Sequence, residues 1–159
     1  MPRRGGDERE QALGDGPWAE REAALDRATR ALARRDHSTE SLRAKLERSG
    51  ISTQAQDDAV ETLSRAGYLD DARFGRDRAA HLAVRGYGDE WIRADLGAQG
   101  VAAEAVDEAL AALEPERERA LREAAELGGG LRSARTLQRR GFSIDSLESV
   151  LGGTVAEDP

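Results

Sequence analysis

The sequence predicts an all-α protein made of three tandem three-helix repeats, arranged as an elongated, curved array. Three observations lead there. Laid against itself, the chain repeats: "LRAKLERSGIS" (42–52), "IRADLGAQGVA" (92–102) and "ARTLQRRGFS" (134–143) each place a Leu four residues before a Gly, with an apolar residue just after it. Apolar residues recur at helical spacing, and no segment shows the sustained alternation of a half-buried strand. Aromatics make up only 4 % of the chain and charged residues 35 %, which suits many small Leu and Ala contacts better than one large core.

The correspondence runs through Leu46, Leu96 and Leu137, then Gly50, Gly100 and Gly141, then Ile51, Val101 and Phe142, with Gly spacings of 50 and 41 residues. In the first repeat Ala24, Leu25, Ala28 and Leu32 mark one helix, Leu42 and Leu46 a second, and Ala59, Val60 and Leu63 a third. Gly50 stands where a helix end favours positive φ, and Thr53 with Gln56 suggests a capping box for the next helix. The second repeat follows with Ala79, Leu82 and Ala83, then Ile92 and Leu96, then Val106, Leu110 and Leu113. In the third, Ala120, Leu121, Ala124 and Leu127 precede "GGG" (128–130), then Leu137, then Leu147, Val150 and Leu151. The expected boundaries are a disordered tail at 1–17, repeats at 18–69, 70–114 and 115–151, the last degenerate, and a disordered tail at 152–159.

"GYLDDARF" (67–74) falls where the first repeat hands over to the second. Its adjacent acids suggest chemistry, but a structural reading fits better. Gly67 stops one helix, Asp70 caps the next, Asp71 complements its dipole, and Leu69 with Phe74 forms a hydrophobic staple. Gly67, Leu69, Asp70, Asp71 and Phe74 are therefore expected to form a structural joint, with Tyr68 either packed into it or offered to a partner.

Other chemistries find little support. There is no Cys, so disulfides, thiolate nucleophiles and Cys-based zinc sites are excluded. His37 and His81 are the only histidines and fall in different repeats, where capping or surface roles suit them better than metal ligation. "GGGLRS" lacks the Lys of a phosphate loop. Ser38, Ser52 and Ser143 sit at cap positions without a neighbouring base. No catalytic, cofactor or metal site is expected. Trp18 and Trp91 read as packing residues before partner anchors. No apolar run approaches the ~20 residues of a membrane span, and the expected setting is cytoplasmic.

Net charge is −7, and its distribution is uneven: residues 18–69 carry 9 basic and 9 acidic side chains, while 70–113 carry 5 and 9. "AKLERSGISTQAQDDAVETL" (44–63) could be a helix-turn-helix, but its second helix bears Asp57, Asp58 and Glu61, which phosphates would repel. The basic residues lie instead on the helix before each turn: Arg43, Lys45 and Arg48, then Arg135, Arg139 and Arg140, with Arg34 and Arg35 just upstream of the first group. One reading makes these a solvated face. The other makes them a broken basic strip suited to a large acidic partner or to a phosphate backbone held by another protein.

"RRDHSTESLRAKLERSGI" (34–51), "LSRAGYLDDARF" (63–74) and "RGYGDEWIRADLGAQGV" (85–101), in this order and spacing, resemble the RecX family, the bacterial regulators of the RecA recombinase. The resemblance spans roughly residues 21–151. Ser41, Gly75 and Trp91 depart from it, standing where the family usually has an acid, an Ala and a basic residue. The resemblance implies a non-enzymatic protein without cofactors that binds RecA, lodges in the groove of the RecA filament on single-stranded DNA, and suppresses ATP hydrolysis and strand exchange. It thus implies a role in homologous recombination, DNA repair and the SOS response. Expected filament contacts are Arg34, Arg35, Arg43, Lys45, Arg48, Tyr68, Arg93, Arg139 and Arg140, presented by a monomer. Direct nucleic-acid binding by the same strip, or an adaptor role toward another protein, are the alternative functions.

Overall fold

The computed structural model describes residues 16–153, which divide into two compact units with the boundary between Asp70 and Asp71. Among the described residues all regular secondary structure is helical. The segments 1–15 and 154–159, which hold most of the two expected disordered tails, lie outside the described residues.

The first unit contains one repeat: α1 (Pro17–Arg34), α2 (Thr39–Arg48) and α3 (Thr53–Arg65). α1 opens on Pro17, a residue expected in the tail, because proline's fixed φ suits the first helical turn and its missing N–H is not needed there. At the start of α2 the Ser38 hydroxyl accepts from the Ser41 N–H at 3.1 Å. Ser41, where the family pattern has an acid, donates its own hydroxyl to the Ser38 carbonyl at 3.1 Å. The Thr53–Gln56 capping box does not form. Ser52 is the cap, accepting from the Ala55 N–H at 3.4 Å, and Gln56 donates its side-chain amide to the Ile51 carbonyl at 2.8 Å. The cap sits one residue earlier because Ser52 is extended and already anchored from α1, as described below.

α2 ends at a glycine in left-handed conformation, Gly50 with φ 78°, and the Ile51 N–H returns to the Leu46 carbonyl at 3.2 Å. The bond satisfies a carbonyl the helix end would otherwise leave open. It recurs at Val101 to Leu96 and at Phe142 to Leu137, both 3.1 Å, so the motif that exposed the repeat is a helix-ending device. Ala28, Ala31, Leu42, Leu46, Val60, Leu63 and Leu69 form the core of this unit. Leu42 and Leu46 are at most 1 % exposed, each contributing about 2 kcal/mol of burial.

The second unit contains two repeats: α4 (Asp71–Val84), α5 (Asp89–Ala98) and α6 (Ala103–Ala111), then α7 (Glu116–Glu126), α8 (Gly130–Arg139) and α9 (Ile144–Gly153). α9 runs past Leu151, so residues 152 and 153 are helical where a tail was expected; buried Val150 anchors the last turn. One core gathers Ala79, Leu82, Ile92, Leu96, Val101, Val106 and Ala109, and another gathers Ala120, Ala124, Leu137, Phe142, Leu147 and Val150. In the third repeat buried Ser133 takes the place of Leu42 and Ile92, and its hydroxyl is satisfied by the Gly129 carbonyl at 2.9 Å. Phe142, 3 % exposed, supplies apolar volume there.

In every repeat the first helix packs most extensively on the third. Small residues allow this: Ala24, Gly75 and Ala120 correspond, as do Ala28, Ala79 and Ala124, and all six are buried. Ala24 meets Ala55 and Ala59. A Cβ at Gly75 would lie 3.5 Å from Val101 Cγ1 and 4.0 Å from Ala109 Cβ, ordinary van der Waals distances. Gly75→Ala is therefore expected to stabilise the protein by about 0.5–1 kcal/mol, through helix propensity and added contact. Thermal melts of the two proteins check this.

Candidate partner-binding surfaces

In the first unit the third helix is tied to its neighbours by charge. The Glu20 carboxylate accepts from the Ser52 backbone N–H at 2.9 Å and the Ser52 hydroxyl at 2.8 Å, and these bonds hold its pKa below the ordinary value. Arg21 pairs with Asp58, and Arg43 with Asp57. Arg43 thus reaches across to α3. What remains basic is a cleft of about 580 Å³ between α1 and α2, with a floor of Ala31 and Leu46 and walls of Arg27, Arg30, Arg34 and Lys45. The single acid on its wall, Asp26, pairs with Arg30 at 3.1 Å.

Of the expected contact residues the structure brings Arg34 and Lys45 together around this cleft, while Arg35 and Arg48 are exposed beyond it. Sequence reasoning missed Arg27 and Arg30, although Arg27, Arg30 and Arg34 lie on one face of α1 by helical spacing alone. Tyr68, 69 % exposed, is not packed away. Gly67 follows α3 with φ 78°, and α4 begins at Asp71. Leu69 is buried in the core of the first unit, whereas Phe74 packs against a core of the second.

In the second unit a buried polar cluster joins the two repeats. Arg119 on α7, 3 % exposed, donates to the Tyr87 and Glu114 carbonyls, both at 3.0 Å, and pairs with Asp89. Its guanidinium also lies 5.9 Å from the centre of the Phe142 ring. One turn earlier, Glu116 accepts from the Asp89 backbone N–H at 2.7 Å, from Ser146 Oγ at 2.8 Å and from both the N–H and hydroxyl of Ser143. Ser143 also caps α9, as expected, accepting from the Ser146 N–H at 3.4 Å. The backbones themselves touch: Gly88 N–H donates to the Arg140 carbonyl at 2.8 Å, and Glu90 N–H to the Gly141 carbonyl at 3.1 Å.

Burial works to raise the Glu116 pKa, but the hydrogen bonds from Ser143, Asp89 and Ser146 together outweigh it and leave the pKa below its ordinary value. For Asp89 burial prevails and raises the pKa, with Arg119 opposing. None of this cluster was anticipated as a site. The available signal was Glu116 at the register position of Glu20, with Ser143 matching Ser52.

The remaining expected contacts divide in two. Arg93 pairs with Asp107 at 2.6 Å, repeating the Arg43–Asp57 pair at the corresponding positions. Arg140 approaches Glu123 at 3.5 Å. Arg139 is exposed, as are Arg132 and Arg135 on the same helix, and none of the three enters an ion pair among the described residues. Arg43 and Arg93 are thus engaged by acids of the third helix of their own repeats, whereas Arg139 is not.

Among the described residues no group of three or more His, Asp or Glu side chains is placed to hold a metal ion, and no helix is long and apolar enough to cross a membrane. His37 is buried, its ring nitrogen 3.1 Å from Ser41 Oγ, and burial followed by the charges of Arg35 and Lys45 lowers its pKa. His81 is exposed.

Fold and surfaces define a helical-repeat protein whose polar side chains tie helices together and leave cationic faces open. The model of the RecX second three-helix domain matches residues 70–110, which begin where the second repeat begins. The regulatory protein RecX of Halorhodospira halophila is 34 % identical over 147 residues, covering 86 % of this chain and 91 % of its own. That of Xanthomonas axonopodis pv. citri is 35 % identical over 153 residues, covering 90 % and 94 %. The crystal structure of RecX from Lactobacillus salivarius superposes with a TM-score of 0.72 over 83 % of this chain and 94 % of that one, at 14 % identity, a likeness of fold. The chain belongs to the RecX family of regulatory proteins.

The Glu116 hydrogen bonds exist only in the folded state, so the stability they add is complete above the ordinary carboxyl pKa of 4.5 and is lost as pH falls through that value and below. Asp89, with its raised pKa, acts in the opposite sense. Glu116→Gln is expected to cost about 2 kcal/mol at pH 7 and to give a shallower loss of stability between about pH 5 and 3. Urea denaturation across that pH range checks both.

Proposed function

We propose that this protein binds RecA and the RecA filament on single-stranded DNA and restrains ATP hydrolysis and strand exchange, without catalysing a reaction itself. The observation that carries this reading is the identity of 34–35 % with regulatory proteins named RecX over most of both chains. It acts in the cytoplasm as a monomer, in homologous recombination and DNA repair.

The charge pattern supports the reading physically. A net charge of −7 discourages binding to bare DNA, while local cations orient the protein on an acidic surface and raise its association rate. The cleft residues Arg34 and Lys45, with Arg35, Arg43 and Arg48 nearby in sequence, offer such a surface in the first unit. Arg93, Arg139 and Arg140 offer it in the second, and exposed Tyr68 adds an aromatic contact. Arg43 and Arg93 keep 31 % and 55 % of their side-chain surface exposed while paired, so a partner carboxylate can compete with Asp57 and Asp107 for them. The residues of "GYLDDARF" other than Tyr68 (Gly67, Leu69, Asp70, Asp71 and Phe74) serve as the structural joint between the first repeat and the second.

The test is the ATPase rate of RecA filaments on single-stranded DNA titrated with the folded protein. A dose-dependent, saturable fall is expected, and an unchanged rate at saturation would overturn the proposal. Arg43→Glu with Arg93→Glu is expected to raise the half-inhibitory concentration on the order of tenfold, the scale on which clustered surface charge alters association. Because both pairs are exposed, the same substitutions cost about 1 kcal/mol or less of stability each.

A further inference from the structure

The chain carries 24 basic residues of the Lys and Arg type, and one of them alone is a lysine, Lys45. It stands on the wall of the α1–α2 cleft with Arg27, Arg30 and Arg34, over a floor of Ala31 and Leu46. Lys45 is exposed and enters no ion pair among the described residues, and the same holds for Arg27 and Arg34. The two residue types differ in chemistry as well as shape. A guanidinium is delocalised and stays protonated, so it offers no lone pair, whereas an amine that gives up its proton is a nucleophile.

Within the cleft that amine has no rival. The sequence holds no Cys. His37 is buried and does not line the cleft, and His81 belongs to the other unit. The Ser49 hydroxyl reaches the wall, but it donates to the Lys45 carbonyl at 3.2 Å, and the one carboxylate there, Asp26, is paired with Arg30. The arginines follow one another three and four residues apart, so they share one face of α1 and present their guanidinium groups together.

Such a wall recognises phosphate, because the planar N–H forks of arginine match its oxygens. A phosphate by itself would use Lys45 as a point charge, a role that a fourth arginine fills equally well. An acyl phosphate uses every part of the cleft. Its phosphate lies against the guanidinium groups, its small apolar acyl group lies on the Ala31 and Leu46 floor, and its carbonyl carbon comes to the amine. A volume of about 580 Å³ falls in the range that accepts small ligands.

We propose that Lys45 is an acyl-acceptor site and that Arg27, Arg30 and Arg34 cradle the phosphate of its donor, an acyl phosphate. The neutral amine attacks the carbonyl carbon and a C–N bond forms. The C–O bond to phosphate breaks, its electron pair leaves with inorganic phosphate, and the surplus amine proton passes to water. No oxidation state changes and no further reactant is needed. The protein is the substrate of this reaction and not its enzyme. The product amide removes one positive charge from the cleft. This goes beyond the regulatory reading, because the reaction requires no RecA.

The experiment incubates the full chain with acetyl phosphate and follows acetylation of Lys45 by mass spectrometry after cleavage at arginines. The reference is an N-terminally blocked peptide of residues 42–52, LRAKLERSGIS, which carries the same amine without the cleft. Lys45 of the folded protein is expected to react about tenfold faster or more, the gain from holding donor and amine together. Inorganic phosphate at constant ionic strength should slow it saturably toward the peptide rate. Arg27→Gln with Arg34→Gln, checked for unaltered melting, should have the same effect. With p-nitrophenyl acetate, a donor that lacks phosphate, the folded protein should hold no advantage over the peptide. A rate equal to that of the peptide, acetylation of Ser49 in place of Lys45, or undiminished reaction in the folded arginine variant would each overturn the proposal. So would an equal advantage with p-nitrophenyl acetate, which would mean an amine reactive without any phosphate cradle. If the arginine variant fails to fold, competition by phosphate decides, and absence of saturable protection overturns the proposal. RecA enters none of these measurements, so a failed ATPase titration and a failed acetylation remain separate results.

Discussion

The second unit depends on two backbone carbonyls. The N-terminal amides of α5 have no partner within their helix and no capping side chain at Gly88, so they need acceptors from elsewhere. The end of α8 supplies them, through the Arg140 and Gly141 carbonyls, and in doing so brings two chain segments closer than any side chain allows. A Cβ on Gly88 would lie 2.3 Å from the Gly141 oxygen. The geometry therefore requires glycine at both positions, and it fixes where Arg119 and Glu116 must place their charges. Arg119 holds the Tyr87 carbonyl and Asp89 on one side of this contact; Glu116 holds the Asp89 amide and the Ser143–Ser146 turn on the other. A buried arginine stripped of these partners would be costly, whereas with them it locks one arrangement of the two repeats.

The same device appears in simpler form in the first unit, where Glu20 grips Ser52 just as Glu116 grips Ser143. The middle repeat has Ala102 at this position, and there Arg78, paired with Asp95, adds a hold between helices beside the Arg93–Asp107 pair, whose counterpart the first repeat also has. Some of the charged residues so abundant in the chain are thus structural, supplementing cores built mainly of Ala and Leu. The consequence for function is subtractive. Acids consumed in these ties leave particular cations uncovered, in the α1–α2 cleft and along α8, and those are the faces a partner can read.

How much of this the sequence discloses depends on the range of the interaction. The helices, the glycine turns and the start of α4 at Asp71 follow from local periodicity and backbone conformation, which a string of residues records directly. Ser52 is legible as a cap, but so is a capping box of Thr53 with Gln56, and the contact that decides between them comes from Glu20, far away in the chain. Arg43 and Arg93 read as expected partner contacts, since nothing local reveals that Asp57 and Asp107 reach back to them across a turn. The Arg119 cluster was silent for a different reason: an arginine inside "ERERALREAAE" looks like any solvated helix charge, and only the approach of Gly88 to Gly141 buries it. Trp91 was visible as an oddity, but its stacking on the Tyr87 ring and its seat against Gly141 at the end of α8 are products of the fold.

The backbone contact between Gly88–Glu90 and Arg140–Gly141 makes the second and third repeats one cooperative body. Native-state hydrogen exchange of the Gly88 and Glu90 amides reads this cooperativity. Both are expected to exchange only with the global opening that releases the Ile92 and Leu137 amides in the cores of the two repeats. Rapid exchange at Gly88 and Glu90, while those core amides stay protected, would mean that the two repeats open independently.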